Sequence, residues 1–204
     1  DHVFTKNLPA YLTEKHLDNL GPILIDLDFR FDGITEERRY TVETIQTFLT
    51  IYFKHLRGLV NIPEDNLKVY VMEKPSPKPQ DEKGITKDGI HFVFPNIYVD
   101  PKVQYVARKH TISDIECKEL FKKIGAKNSI ADIFDVCVIE RNNWQMYGCR
   151  KPNCDRYEIT HIYEIDEGTI NKIDNEDVNE DLIKRLSIRR CMGQAVYVAT
   201  EDEN

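Results

Sequence analysis

Apolar and polar side chains alternate strictly over residues 22–31, PILIDLDFRF, which predicts a strand that opens at Gly21-Pro22. From 38 to 60 the period lengthens. Val42, Ile45, Phe48, Leu49, Tyr52, Phe53, Leu56 and Leu59 recur at the spacing of an amphipathic helix. LKVYVM at 67–72 reads as a second strand and DGIHFVFPNI at 88–97 as a third. Between them EKPSPKPQDEKG (73–84) has no period and is rich in proline and charge. A mobile Pro-rich loop over 73–86 is expected, a plain connector rather than a docking motif. Residues 101–124 predict two short helices that break between Thr111 and Asp114, with Ser113 as a cap for the second. IADIFDVCVI (130–139) reads as a fourth strand, 157–165 as a weaker one, 177–190 as a helix and 194–199 as a short strand. Strands and helices interleave without an internal repeat, so the fold class is α/β or α+β.

Composition sharpens this picture. The 204 residues are 41% hydrophobic and 31% charged, which excludes a disordered chain. A chain of this length can bury roughly 70% of the surface it exposes when unfolded, enough for a core without disulfides or metal. A single domain of two joined lobes over 1–204 is expected. No apolar run approaches the roughly 18 residues of a membrane span, and no signal-peptide pattern opens the chain, so no membrane partner is expected. The five cysteines are odd in number and irregularly spaced, which favours a reducing intracellular compartment over a secreted scaffold. Because the first residue is Asp1 and not Met, the chain reads as a piece of a longer polypeptide. The formal net charge is −7, unevenly spread. Residues 155–181 hold ten acids and two bases, and residues 102–127 hold seven bases and three acids. Two solvated faces explain this; so does a basic stretch bordering a polyanion track.

Candidate chemistry begins on the first strand. Alternation puts Ile23, Ile25, Leu27, Phe29 and Phe31 on one face and Leu24, Asp26, Asp28 and Arg30 on the other. Asp26 and Asp28 then lie about 6.6 Å apart along the strand, able to converge on one metal ion or a pair. Aspartate is depleted in strands, so two of them among large hydrophobes need a reason, although one wet face of a sheet would also supply it. On the third strand His91 shares a face with Gly89 and Val93. Gly89 leaves the backbone open to close approach. His91 can donate to a phosphate, ligate a metal or exchange a proton, while a lone strand histidine is more often structural. Lys87 precedes the strand and adds a cation. Asp135 lies inside the apolar run 133–139, where a carboxylate is costly unless paired or metal-bound; Asp132 competes from the edge of the run. Downstream, Arg150 and Lys151 could grip a triphosphate, and Trp144 or Tyr147 could stack on a base or pack in the core. Oxygen ligands favour hard ions such as Mg²⁺ or Mn²⁺, and carboxylate-held ions beside Lys and Arg suit phosphoryl transfer.

The order of these motifs resembles the archaeo-eukaryotic primase superfamily: a strand with two aspartates, a strand with a histidine, then a third aspartate. LIDLDFRF, KDGIHFVFPNI, the stretch from FDVCV to NWQMYGCRKPN, and DLIKRLSIRR are similar to the primase domain of giant-virus and poxvirus-type primase-helicases, over residues 22–190. The resemblance implies a catalytic core in which an RRM-like half with a mixed sheet packs against a second small α/β lobe. It implies Asp26, Asp28 and Asp135 as catalytic metal ligands of a two-metal Mg²⁺ or Mn²⁺ site. His91 would contact the phosphates of the nucleoside triphosphate, with Lys151 and Arg150 on the triphosphate. Lys87, Gly89 and Arg30 complete the candidate nucleotide-binding set. Many relatives carry Ser-x-His in the second motif; here Gly89 holds the serine position, so one phosphate contact is either missing or falls to backbone or to Lys87. Between the second and third motifs His110 and Cys117 are too few for a zinc knuckle. Cys149, Cys154 and His161 could hold zinc, though such cysteines are more often packing residues.

The implied function is template-directed, divalent-metal-dependent primer synthesis for viral DNA replication in the host cell, in a cytoplasmic replication compartment. The implied partners are a single-stranded DNA template and a C-terminal ring helicase on the same chain. Two other classes fit the residues. A metal-dependent nuclease or phosphodiesterase would use the same carboxylates and would need no nucleotide. A non-catalytic module binding single-stranded DNA and loading a helicase would need none of them, and an acidic face repels a phosphate backbone unless a cation intervenes.

Overall fold

The computed structural model describes residues 9–18, 20–62, 67–166, 168–190 and 196–197. In chain order its elements are β1 (Thr13–Glu14), β2 (Gly21–Asp32), α1 (Val42–Arg57), β3 (Leu67–Glu73), β4 (Lys78–Gln80), β5 (Ile85–Val99), α2 (Pro101–Ser113), α3 (Ile115–Lys123) and α4 (Ile130–Ile133). Then come β6 (Trp144–Gln145), β7 (Glu158–Asp166), β8 (Thr169–Ile173), α5 (Glu180–Arg185) and β9 (Val196–Tyr197). This is the mixed α+β architecture that the alternating periods predict.

One seven-stranded sheet organises the molecule, in the order β2-β5-β3-β7-β8, with β4 and β9 also paired to β5. β5 pairs along one edge with β2, antiparallel from Gly21↔Val99 to Asp32↔Ile85. Along its other edge it takes β4 and β3 antiparallel and β9 parallel. β1 and β6 form a separate two-stranded ladder.

The alternation of β2 divides two cores. Ile23, Ile25, Leu27, Phe29 and Phe31 join Phe92, Phe94, Val69 and Val71 beneath α1, α2 and α3, and Phe48 of α1 packs at 5.5 Å on Phe92 and 5.8 Å on Phe121. On the opposite face Leu24, Tyr70, Met72 and Val93 pack against Trp144, Val138, Leu182 of α5 and Leu186 just after it. That second cluster covers only part of its face and leaves the β2 stretch from Asp26 onward open. The predicted wet face is therefore half roofed.

Local chemistry sets the helix ends. Thr41 caps α1 in a reciprocal pair with Thr44 (3.4 and 3.2 Å), which shortens the expected 38–60 helix. Asp100 caps α2 before Pro101 at its first turn. The break between the two short helices falls where expected. The cap is Asp114, whose carboxylate accepts from the Glu116 N–H at 2.8 Å, while Ser113 is still the last residue of α2.

Four expectations need correction. Residues 130–139 are not a strand. Ile130, Ile133 and Phe134 stand at i, i+3 and i+4, and Ser129 caps the short α4 by accepting from the Asp132 N–H. The segment's one ladder pairing with the sheet is an isolated bridge from Phe134 to Leu27. The Pro-rich segment is not all loop, since β4 and a 3-10 turn over Asp81–Lys83 lie within it and β5 begins at Ile85. The 177–190 helix is the six-residue α5, capped by Asn179. β8, absent from the sequence reading, follows β7 through a turn at Gly168, whose φ of +84° suits glycine. Of the expected strand at 194–199, only Val196 and Tyr197 lie within the described residues.

Candidate functional site

The β2–β5 register builds the site directly. Asp26 stands opposite His91 and Asp28 opposite Gly89, all on the half-roofed face. His91 is buried, and its Nε2 lies 3.5 Å from Asp26 Oδ1. That oxygen is itself buried and has no hydrogen-bond partner. An orphaned carboxylate oxygen aimed into a cavity is a place for a cation or a donor supplied from outside.

Asp135 arrives by a different route from the one predicted. The turn after α4 lies along β2: the Asp135 N–H donates to the Asp26 carbonyl at 2.9 Å, and Arg108 holds the turn by donating to the Phe134 and Ala131 carbonyls at 2.8 and 2.7 Å. One Asp135 carboxylate oxygen accepts from the Cys137 N–H at 2.9 Å, which fixes its orientation. The three aspartates thus meet without three strands.

They border a cavity of about 360 Å³ that is also lined by His91, Lys74 and Lys151. Asp28 stands open to solvent at its mouth, yet protein crowds it from the other sides. Its carboxyl is pushed up to about 6, first by desolvation and then by the charge of Asp26, with Asp135 adding and His91 and Lys151 opposing. A carboxylate whose proton affinity is raised by burial and by neighbouring negative charge is a natural partner for a cation. The donor set of hard oxygens plus one imidazole fits Mg²⁺ or Mn²⁺ in kind. Among the described residues no three His, Cys, Asp or Glu groups are already drawn tightly around one point.

Several expected residues lie elsewhere. Arg30 and Lys87 face each other further along the same two strands, outside the cavity lining; Arg150 is also outside it, its backbone N–H donating to the Ala10 carbonyl at 2.9 Å, while Lys151 beside it lines the cavity. Gly89 forms floor rather than lining. The bases of 102–127 ride mostly on α2 and α3, which pack on the opposite face of the sheet through Val103, Ala107, Cys117 and Phe121. A solvated face accounts for them better than a track beside this cavity. Cys149 and Cys154 do not join His161, which lies 3.4 Å from Glu73, and Cys154 Sγ sits 3.8 Å from Lys78 Nζ.

Three charged or aromatic lining residues escaped the sequence reading: Lys74, Asp155 and Tyr157. Lys74 follows β3, and its carbonyl accepts from Arg38 at 2.7 Å. Its ammonium lies 4.9 Å from the Tyr157 ring centre and makes no ion pair among the described residues. The proline-rich stretch that begins there masked it. Trp144, weighed between stacking and core, is buried in the second cluster and also walls the cavity.

The fold and cavity define an α+β domain whose central sheet presents an acidic, cation-ready pocket at one open face. Sequence comparison places it further: a family model described as the C962R protein N-terminal AEP domain matches residues 1–163, and the chain belongs to this family of archaeo-eukaryotic primase domains. The chain is also similar to a protein of Acanthamoeba polyphaga mimivirus named "Putative helicase L207/L206", 32% identical over 164 residues. The match covers 80% of this chain and 17% of that relative.

Proposed function

We propose that this domain is a primase-polymerase, a template-directed nucleotidyl transferase that depends on divalent metal ions. The observation that carries the reading is the convergence of Asp26, Asp28 and Asp135 with His91 and Lys151 on one cavity of a family primase domain. Asp26, Asp28 and Asp135 would hold Mg²⁺ or Mn²⁺. Bound there, such ions acidify an attacking 3′ hydroxyl and neutralise a leaving pyrophosphate. The chain's own groups do the rest. His91 presents an N–H to a phosphate oxygen from a ring clamped between aromatic neighbours. Lys74 and Lys151, both in the cavity lining, would draw the triphosphate in. Arg30 and Lys87, further along the same face, would receive the phosphates of the template or primer. The mimivirus relative bears the word helicase in its name and extends well beyond the matched part, so we extend the reading to a ring helicase on the same polypeptide. The free thiols of Cys117, Cys137, Cys149 and Cys154 suit a reducing intracellular site of viral replication.

The test is primer synthesis. The protein is incubated with single-stranded DNA, labelled nucleoside triphosphates and Mg²⁺ or Mn²⁺, beside Asp28→Asn. Template-dependent products in wild type and none in an equally well-folded Asp28→Asn are expected. Equal yields would remove the assignment. Shortened template without added nucleotide would replace it with the nuclease. DNA binding with no reaction at all would leave the helicase-loading module.

A further inference from the structure

His91 is held between two rings. Tyr157 stacks on it with ring centres 3.5 Å apart and planes 17° apart, and Trp144 lies against it at 4.7 Å and 40°. Tyr157 reaches this position from the segment just before β7, which also carries Lys151 and Asp155 into the cavity. Its hydroxyl lies over the backbone of Gly89. A β-carbon at Gly89 would stand 2.8 Å from Tyr157 Oη, 3.2 Å from the Leu27 carbonyl oxygen and 3.4 Å from Asp28 Oδ1. Gly89 is not among the residues with positive φ. The backbone angles there do not demand glycine; the crowding does, and its closest contact is the Tyr157 hydroxyl, with the Leu27 carbonyl next. Burial, with the charges of Asp26 and Asp28, pushes the Tyr157 phenol well above its ordinary value, so the group stays protonated and acts by shape and dipole.

We propose that Tyr157 is a positioning residue for this site: its hydroxyl seats in the niche over Gly89, and its ring fixes the plane of His91 against Asp26. The role of His91 rests on the nucleotidyl-transfer reading above, whereas the lock itself is a matter of geometry. Without the Tyr157 ring the imidazole is free on that side to turn about its ring bond. An error of about 1 Å in a catalytic group can cost about a hundredfold in rate. Lys74, whose ammonium lies over the same Tyr157 ring, shares the seat. Gly89 and Tyr157 therefore act as a pair, and this separates a lock from an aromatic side chain that merely fills the wall.

The experiment reads the His91 Cε1–H resonance, assigned by its loss in His91→Gln, in wild type, Tyr157→Leu, Tyr157→Phe, Gly89→Ala and the double variant Gly89→Ala/Tyr157→Phe. Stacking shields this proton. The upfield shift is expected to persist in Tyr157→Phe and to shrink in Tyr157→Leu and Gly89→Ala, where Trp144 alone still shields the ring. It is expected to return in the double variant, because the oxygen that meets the new methyl is gone. Primer synthesis should follow: kcat about a hundredfold lower in Gly89→Ala, with at least about tenfold recovered by the added Tyr157→Phe and with little change in nucleotide KM. An unmoved His91 resonance in Tyr157→Leu, or a double variant no better than Gly89→Ala, would overturn the proposal. If Tyr157→Leu does not fold, Gly89→Ala and its rescue carry the test. The resonance pattern decides the lock whether or not primers are made, so an inactive but folded wild type counts against the proposed function alone.

Discussion

Replacing Arg38 by methionine should cost about 3 kcal/mol of folding stability at neutral pH. Arg38 binds Glu73 Oε1 at 2.7 Å, Asp88 Oδ2 at 3.0 Å and the Lys74 carbonyl at 2.7 Å. The two carboxylate side chains are 3% and 1% exposed, so the variant leaves two neighbouring negative charges out of water. Breaking a buried pair in this way costs about 3–5 kcal/mol. The lower end applies here for three reasons. Glu73 keeps Thr160 as a hydrogen-bond donor with His161 close by, Asp88 keeps the Gly89 N–H at 2.9 Å, and Arg38 is itself 25% exposed, so water can follow it in.

The pH dependence carries its own sign. Burial alone would push Glu73 up, but hydrogen bonds from His161 and Thr160 and the charge of Arg38 outweigh it and hold the carboxyl below its ordinary range. Its stabilising contribution is thus present above the unfolded pKa and lost as pH falls through the lowered folded value. Asp88 is raised, because desolvation outweighs its bonds to Arg38. In Arg38→Met both carboxyls rise. Their protonation then restores stability as the solution is acidified, and the gap to wild type closes towards pH ~5. Urea denaturation followed by the single tryptophan, at neutral pH and near pH 5, measures both quantities. A loss under about 1 kcal/mol at neutral pH, or a gap that does not change with pH, would refute the account of a desolvated pair.

Two further outcomes follow from the cavity. The Asp28 carboxyl is pushed up to about 6, above its unfolded value, so ionising it subtracts stability as pH rises through that value. A divalent ion relieves this, and Mn²⁺ should raise the melting temperature of wild type more at about pH 7.5 than at about pH 5.5, with no such difference in Asp28→Asn; equal shifts at both pH values would rule the mechanism out. Lys74→Ala should raise the nucleotide KM several-fold with kcat little changed, as for a point charge that binds phosphate, and an unchanged KM measured in the primer assay would remove Lys74 from the substrate.

The strands and the paired aspartates were legible because both follow from a period of two. Once β2 alternates, Asp26 and Asp28 must share a face, and once β5 alternates, His91 must share one with Gly89. The register that puts His91 opposite Asp26 rather than one pair along belongs to the pairing of distant segments, which alternation leaves open. Asp135 reaches the cavity by a route that its sequence neighbours do not suggest. Its apolar neighbours look like a strand, but Ser129 and the i, i+3, i+4 spacing make a helical turn, and what brings Asp135 in is a backbone hydrogen bond to Asp26. Lys74, Asp155 and Tyr157 were invisible in a different way. Each sits in or beside a stretch without period, where position is decided by long-range contacts such as Arg38 on the Lys74 carbonyl.

The charge of the cavity constrains what can enter it. Its lining includes four carboxylates, Asp26, Asp28, Asp135 and Asp155, against the two ammonium groups of Lys74 and Lys151, with His91 between them. On these counts the pocket is negative by two charges when His91 is neutral, and a triphosphate approaching it alone meets net repulsion at short range, where screening by salt is least effective. Two divalent ions would reverse the sign to positive by two, and a polyanion would then be attracted. Under the proposed function, the burial and neighbouring carboxylates that make Asp28 hard to ionise, with the orphaned Asp26 oxygen beside it, would couple nucleotide capture to metal. A pocket built for the anion alone would have placed lysines where these aspartates stand. One that held cations as structural ties would have surrounded them, instead of leaving Asp28 open to solvent and Lys74 and Lys151 in the lining without an ion pair among the described residues.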